Sequence, residues 1–295
     1  MRDPAVSEVV VRGVEVIEPD PEAFTPREVV YVNTGEIELL RVNFQQGLPT
    51  LLIGPKGVGK TLALAYVAHV EKCPIVQLDC SEDTRHRHLI GQFVLVGDEV
   101  RYVLGAIPTA IAIANRVGKC ILVFEEVNAL TPQMQKLLNA ILDWRQYVYI
   151  PEVGRRYELR SGAHLWVAAT MNPYLGGILT LNEDLKSRFA VIEFPYPDPE
   201  KERRIVEANL SIEVDAKLWE RYVVLLNESR RGTEYAISPR DSVQFFHILT
   251  AYQRAGVDLR NALRAALFQA FLNKIEDPDE RRAAYRRAVQ IFALE

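Results

Sequence analysis

The run Gly54-Pro55-Lys56-Gly57-Val58-Gly59-Lys60-Thr61 constrains what this chain can fold into more than any other stretch of it. It has the spacing G-x-x-x-x-G-K-[ST] and lies between an apolar strand-like run, Thr50 to Ile53, and a stretch of helical periodicity, Lys60 to Val70, as that spacing requires. The glycines let the backbone curl until its N–H groups point inward, at the positive end of the dipole of the helix that follows, where an anion is stabilised. Lys60 then reaches the β- and γ-phosphates of a nucleotide and the Thr61 hydroxyl holds Mg²⁺. Gly54, Pro55, Lys56, Gly57, Val58, Gly59, Lys60, Thr61 and Leu62 are therefore the expected nucleotide-contacting set, with ATP and Mg²⁺ as ligands. The competing reading, a glycine-rich turn that matches by chance, has to ignore the flanking strand and helix.

Such a loop needs acids across from it, at the end of another apolar strand. Cys120-Ile121-Leu122-Val123-Phe124-Glu125-Glu126 supplies them. A buried strand cannot end in two adjacent carboxylates cheaply unless a cation or water answers them. Glu125 is expected to orient the Mg²⁺ shell, mainly through water, and Glu126 to polarise an attacking water. Two solvated acids at a strand end remain the plainer alternative.

Short runs of Ile, Val and Leu alternate with helical periodicity through most of the chain. Strands are expected at Thr50 to Ile53, Ile75 to Leu78, Ile121 to Phe124, Leu165 to Thr170 and Val191 to Phe194. Helices are expected at Lys60 to Val70, Pro108 to Val117 and Pro132 to Trp144. The pattern means a parallel sheet covered by helices on both faces. Ahead of it, Val9 to Val16 reads as an added strand followed by a Pro- and acid-rich connector. Asn33 to Glu36 reads as a capping box, for a helix carrying Ile37, Leu40 and Phe44 and stopped by Gly47.

Two segments break the alternation. Leu89 to Leu104 carries Gly91, Gly97 and Gly105, and Tyr147 to Ile150 with Arg156 to Leu159 flanks Val153-Gly154 as a hairpin does. Pro195, Pro197 and Pro199 mark a linker, and beyond Glu200 the pattern is wholly helical, with Leu218, Tyr222, Leu225 and Leu226 on one face. The expected organisation is an extension over 1–25, an αβα nucleotide-binding core over 26–195 with those two insertions, and an α-helical lid over 196–295.

The 295 residues are 48% hydrophobic with net charge −4, which excludes a disordered chain and gives the whole molecule no bias toward nucleic acid or an anionic membrane. Cys73, Cys80 and Cys120 lack a Cys-x-x-Cys pair and read as buried, reduced thiols. No apolar run is long enough for a signal peptide or a membrane span, so the expected location is the cytoplasm. The pair His86-x-His88 reads as a solvated turn.

Taken in order, several further motifs resemble the AAA+ ATPases, and more narrowly the MoxR group that includes CbbQ, NorQ and GvpN-like proteins. They are Cys80-Ser81-Glu82-Asp83 leading into Leu89-Ile90-Gly91, Glu125-Glu126-Val127-Asn128, Ala169-Thr170-Met171-Asn172-Pro173, and Leu181 to Leu185 running into Ser187-Arg188-Phe189. The resemblance covers residues 28 to 295 and implies a P-loop NTPase core with a C-terminal all-α lid. It implies that Asn172 is the sensor 1 residue, that Arg188 is an arginine finger acting on a neighbouring subunit, and that Arg240 is the sensor 2 arginine. A turn asparagine, a surface ion pair and a salt bridge with Asp241 or another acid are the respective alternatives. The chain departs from the resemblance at Glu125, where most such proteins carry aspartate, and at Ala236-Ile237, where Gly-Ala precedes Ser-Pro-Arg.

The resemblance further implies a homo-hexameric ring, with both insertions facing its pore and Tyr147, Tyr149, Tyr157, Arg155 or Arg156 touching a substrate there. The implied activity is remodelling or cofactor and metal insertion on a partner bearing a von Willebrand factor A domain. Two other readings stay open. One is a nucleic-acid motor that uses Arg101, Arg145, Arg155 and Arg156 in a pore; the other is an ATP-dependent scaffold that does not hydrolyse.

Overall fold

The computed structural model describes residues 14–33, 35–143, 145–173, 181–231 and 235–294. In chain order its elements begin with β1 (Glu15–Ile17), α1 (Glu36–Gln46), β2 (Thr50–Ile53), α2 (Lys60–Val70), β3 (Ile75–Asp79), α3 (His86–Leu89), β4 (Gly91–Val96), β5 (Glu99–Leu104) and α4 (Ala106–Val117). There follow β6 (Lys119–Glu125), α5 (Pro132–Leu142), β7 (Tyr147–Ile150), β8 (Arg155–Glu158), β9 (His164–Met171), α6 (Glu183–Lys186) and β10 (Ala190–Glu193). The rest is helical: α7 (Pro199–Leu210), α8 (Ala216–Ser229), α9 (Pro239–Arg254), α10 (Leu259–Ala270) and α11 (Pro278–Phe292). The chain divides into two compact units, one holding β1 to β10 with α1 to α6, the other holding the loop Gly54–Gly59, a short segment that includes Tyr31, and the chain from Phe194 onward.

In the first unit β10, β2, β9, β6 and β3 form a five-stranded parallel sheet in that order. Leu51, Leu52, Cys120 to Phe124 and Leu165 to Thr170 are all out of water, as strands covered on both faces must be. The covering helices are amphipathic or small-residue rich. α1 buries Ile37, Leu40 and Phe44, α2 buries Ala63, Leu64, Val67 and Ala68, and α4 buries nearly its whole first half. This is the expected α/β class, an AAA+-like parallel sheet followed by a C-terminal all-α domain. Ile53 lies beside Met171 and Phe124 beside Ala169, so the carboxyl ends of β2, β9 and β6 come to one edge of the sheet. There β2 and β3 are separated by two other strands, the kind of crossover at which α/β sheets bind ligands.

The two interruptions are hairpins. β4 and β5 pair antiparallel around Gly97 and Asp98, and β7 pairs antiparallel with β8 around a turn closed by Gly154. Residues 9–13 of the strand expected at Val9 to Val16 lie outside the described residues. Its end, β1, pairs parallel with β5 and completes a three-stranded sheet with the first hairpin.

Three local expectations are corrected. α1 starts at Glu36 with Gly35 at its cap, in the left-handed region at φ 107°, and not at the cap expected at Asn33. α5 stops at Leu142 because Asp143 turns extended, and Trp144, the expected end, is outside the described residues. Pro199 belongs to a helix, not to a linker. Asp198 caps α7 by accepting from the Lys201 N–H at 2.9 Å, and proline is well suited to the first helical position.

The three cysteines are buried and unpaired, and burial pushes the Cys73 and Cys80 thiols up to about 12, which leaves them unreactive. Among the described residues no helix is long and apolar enough to cross a membrane.

In the second unit α7 to α11 pack around Trp219, Tyr222, Phe245, Phe246, Phe271 and Phe292. Inside this aromatic core sits a wholly buried carboxylate, Glu202, paired at 2.7 Å with Arg230. Glu202 also accepts from the Ser242 hydroxyl, which in turn accepts from the Tyr222 hydroxyl at 2.8 Å. Arg230 donates from Nε to the Ile237 carbonyl at 2.9 Å, and its guanidinium lies 4.2 Å from the centre of the Tyr196 ring.

Burial pushes the Glu202 carboxyl above its usual range, against the pull of Arg230. Removing one partner of such a pair leaves an uncompensated charge. Arg230→Met is therefore expected to destabilise the chain by about 3–5 kcal/mol in denaturant unfolding, and Arg230→Met combined with Glu202→Leu to restore most of the loss. A raised carboxyl contributes stability below its ordinary value of 4.5 and loses it as pH rises through the folded value. The deficit of the single variant should accordingly narrow as the pH is lowered toward 4.5.

Candidate functional site

Glu125 closes β6, where the sheet edge first meets solvent. Its Oε2 accepts two hydroxyl hydrogen bonds, from Thr61 Oγ1 at 2.7 Å and from Thr170 Oγ1 at 2.7 Å. Its Oε1 is buried and has no hydrogen-bond partner among the described residues. Thr61 stands in the first turn of α2 and Thr170 near the end of β9, so the carboxylate joins the helix after the phosphate loop to the strand beside it.

Glu126 follows in the left-handed region, at φ 51° and ψ 47°, a conformation unfavourable for a residue with a Cβ. Its N–H donates to Thr170 Oγ1 at 3.1 Å. Asn172 is buried just past the end of β9, and its carbonyl accepts from Asn128 Nδ2 at 3.4 Å. The segment Glu125 to Asn128 is thus tied to the segment Thr170 to Asn172 at two places.

In the second unit, Gly57 lies against the start of α9. A Cβ on Gly57 would stand 2.4 Å from Ser238 Oγ and 3.4 Å from Arg240 Cβ, and Gly57 itself has φ +80°. Ser238 caps α9 in a reciprocal capping box with Asp241, which Pro239 follows into the first turn. Burial would raise the Asp241 carboxyl, but hydrogen bonds from Lys274 Nζ at 2.6 Å, from Ser238 and from Tyr235 hold it below its usual range. Asp241 is therefore engaged elsewhere, and the alternative of an Arg240–Asp241 salt bridge is not realised. Arg240 is exposed in the first turn, where a cation opposes the helix dipole, and among the described residues it has no acidic partner.

The remaining expected residues are placed as follows. Lys60 opens α2, partly buried, with Leu62 37% exposed two residues on. Arg188, after α6, pairs with Asp184 at 3.4 Å and Asp143 at 3.8 Å in its own chain, and its Nε is buried without a hydrogen-bond partner. In the second hairpin, Arg156 sits 4.3 Å from the Tyr147 ring centre, Tyr149 is exposed, and Tyr157 packs on the main core.

Residues 49–189, from the strand before the phosphate loop to just past Arg188, match the family model described as AAA domain (dynein-related subfamily). Over this stretch, a little under half of the chain, the protein is similar to AAA domains. The chain is also 27% identical over 259 residues to Protein NorQ of Paracoccus denitrificans, covering 87% of this chain and 91% of that protein. It is 26% identical over 266 residues to an uncharacterised protein of Staphylococcus epidermidis, covering 87% and 96% respectively. A solved structure from Cytophaga hutchinsonii aligns over 85% of this chain and 88% of its own, with 18% identity and a TM-score of 0.46.

The similarity to AAA domains implies a nucleotide and, with it, a divalent cation. Among the described residues no group of three or more His, Cys, Asp or Glu gathers to hold a metal. A hard cation held largely by phosphates and water needs less, and the residues fit it: the Thr61 hydroxyl is exposed, and Glu125 keeps a buried carboxylate oxygen that no protein donor answers. Thr170 entered the sequence reading only as part of the run Ala169 to Pro173, with no role of its own, because its bonds to Glu125 and Glu126 join strands far apart in sequence.

Gly57→Ala is expected to cost roughly 1–2 kcal/mol for the left-handed backbone alone, before the collision with Ser238, and, where that strain displaces the loop, to weaken ATP binding by about tenfold. Titration calorimetry with Mg-ATP checks this.

Proposed function

We propose that the chain is a Mg²⁺-dependent ATPase that couples hydrolysis to remodelling of a partner protein. The observation that carries this reading is the 2.7 Å contact between the Thr61 hydroxyl and the Glu125 carboxylate, joining the helix of a phosphate loop to an acid-ended buried strand. When bound, Mg²⁺ supplies charge neutralisation at the β- and γ-phosphates, with Thr61 and Glu125 as the residues that hold it. The curled backbone of Gly54 to Gly59 and the Lys60 ammonium bind and orient the triphosphate. Glu126 polarises the attacking water and accepts its proton, and Asn172 hydrogen-bonds that water or the γ-phosphate. Arg240, beside Gly57, donates to the phosphates as charge moves onto them.

Arg188 acts in trans, on the site of the next subunit in a ring, where it stabilises charge on the transferred phosphoryl group. Its partly exposed ion pairs with Asp143 and Asp184 orient it without burying it. A hexamer and a partner with a von Willebrand factor A domain follow from the MoxR-type resemblance, as does a role in cofactor or metal insertion; the similarity to NorQ is consistent with that group. Protein is favoured over nucleic acid as the substrate. Arg101, Arg145, Arg155 and Arg156, the cations expected to meet phosphates, are neutralised by Glu15, Asp143, Glu18 and Glu158.

Lys60→Ala is expected to abolish measurable ATP binding. Glu126→Gln should bind ATP while its turnover falls about 10²–10⁴-fold, in line with loss of a general base. Arg188→Ala should also bind and fail to turn over, and mixing the two inactive variants should restore part of the activity, because some interfaces then pair an intact Glu126 with an intact Arg188. Absence of any recovery would refute the shared site, and absence of binding by the unaltered chain would refute the ATPase reading itself.

A further inference from the structure

The Thr170 hydroxyl bonds the Glu125 carboxylate and the Glu126 backbone. It has one proton to give and lone pairs to receive, and both capacities are used: it donates to Glu125 Oε2 at 2.7 Å and accepts from the Glu126 N–H at 3.1 Å. Its side chain is almost wholly buried, so water does not compete for either bond. Two consequences follow from geometry. Glutamate has one more rotatable bond than aspartate, and the pair of hydroxyls on Oε2 removes that freedom. The carboxylate is held so that Oε1 is left without a protein donor. On the other side, the bond to the Glu126 N–H helps hold that residue at φ 51° and ψ 47°, and so fixes the direction in which its side chain leaves the backbone.

We infer that Thr170 is a positioning residue that makes a glutamate at position 125 competent to hold the cation's shell, and that it couples the aim of Glu125 to that of Glu126. The inference rests on the ATPase reading above. The coupling is carried by β9, because Thr170 pairs in register with Leu52 of β2 and lies next to the carboxyl end of β6. A shift of β9 along either neighbour would release both acids at once.

The test is a cycle of four chains: unaltered, Thr170→Val, Glu125→Asp, and the two together, with Thr170→Ser as the conservative control. Loss of a hydrogen bond to a charged group predicts that Thr170→Val lowers kcat about ten- to hundredfold, with little change in KM for ATP, and weakens Mg²⁺ binding in calorimetry with a non-hydrolysable ATP analogue by a similar factor. Thr170→Ser keeps the hydroxyl and should retain most of the activity. Glu125→Asp alone should also slow turnover, because the shortened carboxylate no longer reaches both hydroxyls. In the Thr170→Val background it should add little, since the shared contact is already gone.

Wild-type kcat and Mg²⁺ binding in Thr170→Val, or effects of the two substitutions that simply multiply, would overturn the inference. Should Thr170→Val fail to fold, as judged by its unfolding transition, Thr170→Ala against Thr170→Ser carries the same comparison. A chain that turns over ATP normally but ignores Thr170 removes only this inference. A chain that neither binds nor hydrolyses Mg-ATP removes the ATPase reading beneath it.

Discussion

Strands β2, β9 and β6 bury their side chains on both faces, and a buried surface of that kind has no place for charge along its length. Polar groups collect at the carboxyl edge, where the strands end and the chain turns away. Parallel register does the rest, since it brings Ile53, Met171 and Glu125 to the same margin without any of them being close in sequence. The residues at that margin are held by one another's hydroxyls and carboxylates. The rigidity of the apolar interior thus becomes the precision of a polar site, the condition under which electrostatic catalysis operates without reorganisation.

The helical unit solves a different problem. It presents an exposed cation, Arg240, from the first turn of a helix whose dipole disfavours it. Ser238, Asp241 and Lys274 fix the turn from one side, and Arg230 holds the Ile237 carbonyl just before it. A buried ion pair is weak evidence for stability by itself. Here the Glu202–Arg230 pair ties α7 to the segment that enters α9, so it specifies where that helix begins.

Most core elements could be read from the sequence because their signals are local. Hydrophobic periodicity and Gly or Pro punctuation place β2 and α2 at their observed limits, and β6, β9 and β10 within two residues of them. The phosphate loop and Glu125 were legible for the same reason, as spacing and strand context are both visible along the chain. What stayed hidden depends on neighbours far away in sequence. Thr170 reads as an ordinary strand former until β6 is set beside β9. Glu202 reads as a solvated helix residue, since a glutamate is almost never fully buried unless it is paired, and its partner lies in another helix. Gly35 displaced Asn33 at the start of α1 because only the three-dimensional path of the chain reveals which residue takes the left-handed turn.

β1 is a short ribbon, yet it is the edge that completes the sheet of the first hairpin, with Glu15 bridged to Arg101 at 3.2 Å. A parallel pair pulled from one end is loaded in shear, so its hydrogen bonds share the tension instead of unzipping singly. Tension along β1 would therefore reach β5 through all the bonds of the pair together.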